Sequence, residues 1–103
     1  MIKVRKSNNV IEVSGHANYS EYGKDIVCAS VSSIITATIN YIMNIDPSSI
    51  NYEDDGNKIK ITKINNNEII ENILNTMIEM LKDLEKQYKQ NIKIESEEWK
   101  CYF

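Results

Sequence analysis

Ile50-Asn51-Tyr52-Glu53-Asp54-Asp55-Gly56-Asn57-Lys58-Ile59-Lys60-Ile61-Thr62-Lys63-Ile64 is the stretch whose reading decides the fold. Ile50 to Glu53 and Lys58 to Ile64 read as strands, and Asp54-Asp55-Gly56-Asn57 joins them. Asp-Gly supplies the positive-φ residues that a tight hairpin turn demands. Helical runs lie on both sides of this hairpin. A sheet of alternating parallel strands would place one strand, not a pair, between successive helices. The paired strands therefore point to a two-layer α+β arrangement.

Working outward, Ile2-Lys3-Val4-Arg5 and Ile11-Glu12-Val13-Ser14 alternate apolar with polar around the turn-prone Lys6-Ser7-Asn8-Asn9, which reads as a first hairpin. Asp25 to about Asn44 reads as a helix stopped by Asp46-Pro47-Ser48-Ser49. Its apolar residues fall on nearly every side (Ile26, Val27, Val31, Ile34, Ile35, Ile39, Tyr41, Ile42 and Met43 among them), so a mostly buried helix is expected. A second helix, capped by Asn65-Asn66-Asn67 and ended by Asn91, carries the stripe Ile70, Ile73, Leu74, Met77, Leu81, Leu84 and Tyr88. Ile92 to Glu95 and Trp99 to Phe103 supply a last, interrupted strand. The order is ββαββαβ, with two helices packed on a mixed or antiparallel sheet.

At 103 residues the chain is read as one domain over 1–103, long enough for a single core. A net charge of -3 and the lack of a Lys/Arg cluster argue against direct nucleic-acid binding. Lys82, Lys86 and Lys89 alternate with Asp83 and Glu85, as on a solvated face. The N-terminus has no apolar signal core, and no run is read as reaching membrane-spanning length. A cytoplasmic location without membrane contact is expected, with Cys28 and Cys101 as free thiols. Two cysteines and one histidine are too few for a structural zinc site within the chain, and no cofactor is expected.

The chemistry concentrates in Gly15-His16-Ala17-Asn18-Tyr19-Ser20-Glu21-Tyr22-Gly23-Lys24-Asp25-Ile26-Val27-Cys28-Ala29-Ser30-Val31-Ser32. The sole histidine follows a strand, and Cys28 falls in the first turn of a helix. Unpaired N–H groups and the helix dipole stabilise a thiolate there and could form an oxyanion hole. His16 would take the thiol proton and return it to the leaving amine. The plain alternative is a cysteine acting as a small core hydrophobe and an exposed loop histidine. Asp25 either orients His16 or caps the helix through the Cys28 N–H, the cap being favoured. Gly23 supplies positive φ or flexibility. Ser32, one turn after Cys28, contacts substrate or bonds back to a helix carbonyl. Tyr19 and Tyr22 either close over a peptide or pack on the domain. Cys101 reads as structural.

Gly15-His16-Ala17, then Tyr22-Gly23-Lys24-Asp25-Ile26-Val27-Cys28-Ala29 and Val31-Ser32, resemble the ribosomal-processing cysteine protease family, Prp. That family's pattern is G-H-A, a short loop, then G-x-D-I-V-C-A-A-V-S; Ser30 stands where alanine is usual. Outside the motif the likeness is one of element order. The resemblance implies an endopeptidase that removes the N-terminal extension of large-subunit ribosomal protein twenty-seven. It implies a Cys28 nucleophile, a His16 base and a homodimer. Gly15, Tyr22, Gly23, Asp25 and Ser32 are the expected supporting or substrate-binding residues.

Two other functions compete. A non-catalytic ribosome-associated assembly factor could hold a basic peptide in the same groove, without needing a reactive thiol. A redox sensor pairing Cys28 with Cys101 lacks the C-x-x-C spacing.

Overall fold

Alternation of apolar and polar residues at period two sets each strand's inner face, and the computed structural model, which describes residues 1–21 and 23–96, places those faces together. The elements are β1 (Ile2–Lys6), β2 (Val10–Ser14), α1 (Ile26–Ile45), β3 (Ile50–Asp54), β4 (Lys58–Lys63), α2 (Glu68–Gln87) and β5 (Ile92–Ser96). They form one five-stranded sheet in the order β3-β4-β2-β1-β5. All neighbours are antiparallel except β1 and β5, which run parallel with Ile2 opposite Ile92. The sheet is thus mixed. Tyr22 and the expected Trp99 to Phe103 strand, with Cys101, lie outside the described residues.

One sheet face carries Ile2, Val4, Ile11, Val13, Ile61 and Ile92, all buried in the same core as the helices. Each such side chain withdrawn from water contributes about 1.5–3 kcal/mol before entropy is counted. The opposite face is polar. Across it, Glu95, Arg5, Glu12, Lys60 and Glu53 stand in register and alternate in sign over all five strands. The Arg5–Glu95 ion pair there spans 3.1 Å.

Two caps explain where the helices begin. Asp25 accepts the N–H groups of Val27 and Cys28, and Asn67 accepts those of Ile69 and Ile70. α2 buries Ile70, Leu74, Met77, Ile78 and Leu81, so Ile78 joins the expected stripe, and Ile73, Leu84 and Tyr88 pack at its margin. The helix ends at Gln87 rather than Asn91. The Tyr88 N–H bonds to the Leu84 and Glu85 carbonyls and tightens the last turn.

α1 departs from expectation in two ways. It is not buried on nearly all sides. Val27, Val31, Ile35, Ile39 and Ile42 form a single inward stripe, while Ile26, Tyr41 and Ile45 remain exposed. One layer of sheet and one neighbouring helix cover only one side of a cylinder. The expectation that no run reaches spanning length also needs correction: by length and composition alone, α1 is long and apolar enough to cross a membrane. Its apolar inner stripe is used by the core of this domain.

On the helix side, β3 buries only Ile50 and leaves Tyr52 and Asp54 uncovered. Asp54, at that uncovered corner, lines a groove.

Candidate active site

β2 ends at Ser14, and the chain must leave the sheet at once to reach the start of α1. Gly15 makes this possible. Its φ is +89°, and a Cβ there would stand 2.5 Å from the Met1 carbonyl oxygen. Only glycine fits both the left-handed backbone and the close approach. The loop that follows returns to Asp25, where α1 starts.

A groove of about 740 Å³ opens between this loop, the first turns of α1 and the tip of the β3–β4 hairpin. Gly15, His16, Gly23, Asp25, Cys28 and Ser32 all line it. Of the expected catalytic, supporting and substrate-binding residues, Tyr22 alone lies outside the described residues. Asp54, Gly56, Asn57 and Lys58 of the hairpin tip form the facing wall. The turn sequence announces a hairpin but not that its tip reaches the loop.

Cys28 is half-buried and unpaired as a thiol. Its Sγ accepts the Ala17 backbone N–H at 3.3 Å. His16 is exposed on the same groove. Among the described residues Ser32 shows no hydrogen bond back to the helix, whereas Ser30 Oγ donates to the Ile26 carbonyl at 2.7 Å. Tyr19 leaves the groove and packs edge-on against Tyr88, with ring centroids 5.3 Å apart.

Asp25 uses both carboxylate oxygens on backbone. Oδ1 accepts the N–H groups of Val27 and Cys28, each at 3.0 Å. Oδ2 accepts those of Tyr19 at 2.8 Å and Ser20 at 3.2 Å. Desolvation pushes this carboxyl upward, but the donors of Cys28, Tyr19, Ser20 and Val27 together pull harder, and it sits below its ordinary value. Asp25 is a helix cap and a loop clasp at once, and none of its hydrogen bonds goes to His16.

This geometry narrows the expectation of an oxyanion hole built from unpaired first-turn amides to the Ile26 N–H, which makes no hydrogen bond among the described residues. The Val27 and Cys28 N–H groups are taken by the Asp25 carboxylate, and the Ala29 N–H by the Asp25 carbonyl. A separate donor, the Ala17 N–H, is aimed at the sulfur itself. Sequence reading also missed Asn91, whose Nδ2 donates to the Ala17 carbonyl at 2.9 Å. Nothing local marks it, because 74 residues separate the two.

The family model described as "Cysteine protease Prp" matches residues 1–93. A Staphylococcus aureus protein named ribosomal processing cysteine protease Prp is 36% identical over 98 residues, covering 90% of this chain and 92% of its own length. A Mycoplasma pneumoniae protein of the same name is 30% identical and covers 94% and 96%. Among solved structures, the essential ribosomal processing protease Prp from S. aureus, in complex with a covalently linked product peptide, superposes with a TM-score of 0.80 at 31% identity, covering 93% of this chain and 97% of that one. The same protease with a substrate peptide gives 0.73 at 30% identity and the same coverage.

Proposed function

This chain belongs to the Prp family of cysteine proteases, and on that premise we propose that it removes the N-terminal extension from the precursor of large-subunit ribosomal protein twenty-seven, with Cys28 as nucleophile and His16 as its base. The observation that carries the reading is the shared groove. Cys28 and His16 both open onto it, and a backbone N–H is already aimed at the sulfur.

In the proposed reaction, His16 takes the thiol proton as Cys28 Sγ attacks the scissile carbonyl carbon. The tetrahedral adduct collapses, the C–N bond breaks, and the imidazolium gives its proton to the leaving amine. Water then adds to the thioester with His16 as base, and the acid product leaves. The product peptide covalently linked to the S. aureus relative supports a covalent route. The hairpin tip, through Asp54, Gly56, Asn57 and Lys58, would line one flank of a bound peptide.

The protease acts in the cytoplasm, as a homodimer with one His16–Cys28 pair in each protomer. The exposed Ile26, Tyr41 and Ile45 on α1 support an assembly that covers this apolar surface. The deciding experiment incubates the purified chain with the precursor and weighs the products. Loss of the extension at a single bond is expected, and an uncut precursor would refute the reading.

A further inference from the structure

We propose that Asn91 is a positioning residue for the Cys28 thiol, acting through the Ala17 backbone; this rests on the reading of Cys28 as nucleophile. Asn91 lies in the corner between α2 and β5, far from the motif in sequence. Its Nδ2 donates to the Ala17 carbonyl at 2.9 Å, and the Ala17 N–H donates to Cys28 Sγ at 3.3 Å. One residue is therefore held at both of its peptide groups, one end by the corner and the other by the sulfur. The Ala17 side chain is 1% exposed and wedged in the core, so the segment cannot turn to aim that N–H elsewhere without losing its packing.

The anchor is itself fixed. The Asn91 N–H donates to the Tyr88 carbonyl at 2.9 Å, and the Asn91 carbonyl accepts the Ile2 N–H at 2.8 Å. These backbone bonds tie the amide side chain to the start of β1 and the end of α2. Tyr88, three residues earlier, meets Tyr19 edge-on. The corner thus grips the loop at residues 17 and 19. Asn18, between the grips, has a φ of 57°. Asparagine takes up that left-handed conformation more readily than other non-glycine residues, which lets the loop turn between its two holds.

The consequence is chemical. An N–H donated to the sulfur fixes where the nucleophile stands and which lone pair faces the groove. The same clamp fixes the residue that follows His16, and with it the place from which the imidazole must reach the thiol. Removing the Asn91 amide leaves the backbone bonds of residue 91 in place but frees the Ala17 carbonyl.

Asn91→Asp and Asn91→Ala test this in the full chain. The first keeps the shape and removes the donor, and the second controls for the added charge. The kcat for precursor cleavage should fall by roughly ten- to a hundredfold, the scale of a displaced reacting group, with KM within about twofold. Alkylation of Cys28 by iodoacetamide at about pH 6.5, followed on the peptide that carries it, should slow in both variants. A merely structural role would lower the melting temperature and leave the alkylation rate of the folded protein unchanged. If one variant fails to fold, the other decides. Wild-type kcat and alkylation in a folded Asn91 variant, with Cys28→Ala inactive, would overturn the inference and leave the nucleophile standing. Cleavage by Cys28→Ala would overturn both.

Discussion

Asp25 Oδ1 accepts the backbone N–H of Cys28 at 3.0 Å, so the group that starts the helix is bonded to the backbone of the residue that carries the thiol. The other oxygen holds Tyr19 and Ser20. The helix start and the loop at residues 19 and 20 are thereby held by the same side chain.

Asp25→Ala should cost about 1–2 kcal/mol, the usual range for a lost cap. Asp25→Asn can keep one acceptor on Val27 and Cys28, but its NH₂ would face the Tyr19 and Ser20 donors. The loop should loosen while the helix survives. Hydrogen exchange at Tyr19 and Ser20 checks this, with faster exchange expected in Asp25→Asn at nearly unchanged helix content.

The pH dependence follows from the same residue. Because the folded carboxyl lies below its ordinary value of 3.8, the ionised form favours the folded state. That contribution is complete above the unfolded value and is lost as pH falls through the folded one. Melting curves taken downward from about pH 5 should therefore lose less in Asp25→Asn than in wild type. Parallel losses would show that Asp25 is not among the linked groups.

Cys28→Ala should abolish cleavage and shift stability by no more than about 1 kcal/mol, since the half-buried thiol leaves little volume behind. Cys101→Ser should keep most activity. His16→Ala should cut the rate severely with stability within about 0.5 kcal/mol, because His16 is exposed. It should also slow Cys28 alkylation at about pH 6.5, and alkylation at the wild-type rate would argue against an ion pair formed before substrate arrives.

Gly15→Ala and Gly23→Ala separate strain from crowding. Both glycines have positive φ, +89° and +87°, but only at Gly15 does an added Cβ meet backbone, the Met1 carbonyl. Gly23→Ala should cost about 1–2 kcal/mol from the left-handed backbone alone. Gly15→Ala should cost more and should disturb the β1–β2 pairing. Equal melting temperatures would remove the close-approach argument.

Sedimentation at micromolar concentration should report a dimer. Tyr41→Glu on the exposed side of α1 should weaken it. Mixing Cys28→Ala with His16→Ala protomers should restore little activity, since both residues belong to one loop-and-helix segment.

Much of the fold was legible because its signals are local. Alternation at Ile2 to Arg5 and Ile11 to Ser14, the Asp-Gly turn and the Asn67 cap each depend on a few neighbouring residues, and they place the elements in the observed order. The non-catalytic alternative is set aside by membership of a protease family. What was not legible depends on distance or on shared surfaces. The α1 residues Ile26 and Tyr41 are as apolar in sequence as Ile35 and Ile42, and only the position of sheet and α2 decides which are covered. The competition of Asp25 for first-turn amides depends on side-chain reach. Asn91 carries no mark of its own, being one of many asparagines in the chain.

The parallel pairing of Ile2 with Ile92 has a further consequence, in the order of synthesis. Translation delivers the histidine and cysteine early, but the strand that seats beside β1, and the corner holding Ala17, are made some 90 residues after the first strand. Closing so long a loop comes late in folding. A half-translated chain would carry His16 and Cys28 without the Asn91 amide that holds the Ala17 carbonyl. The β1–β5 pairing and the hold on the Ala17 carbonyl are thus completed only by the last segment of the described chain to be made.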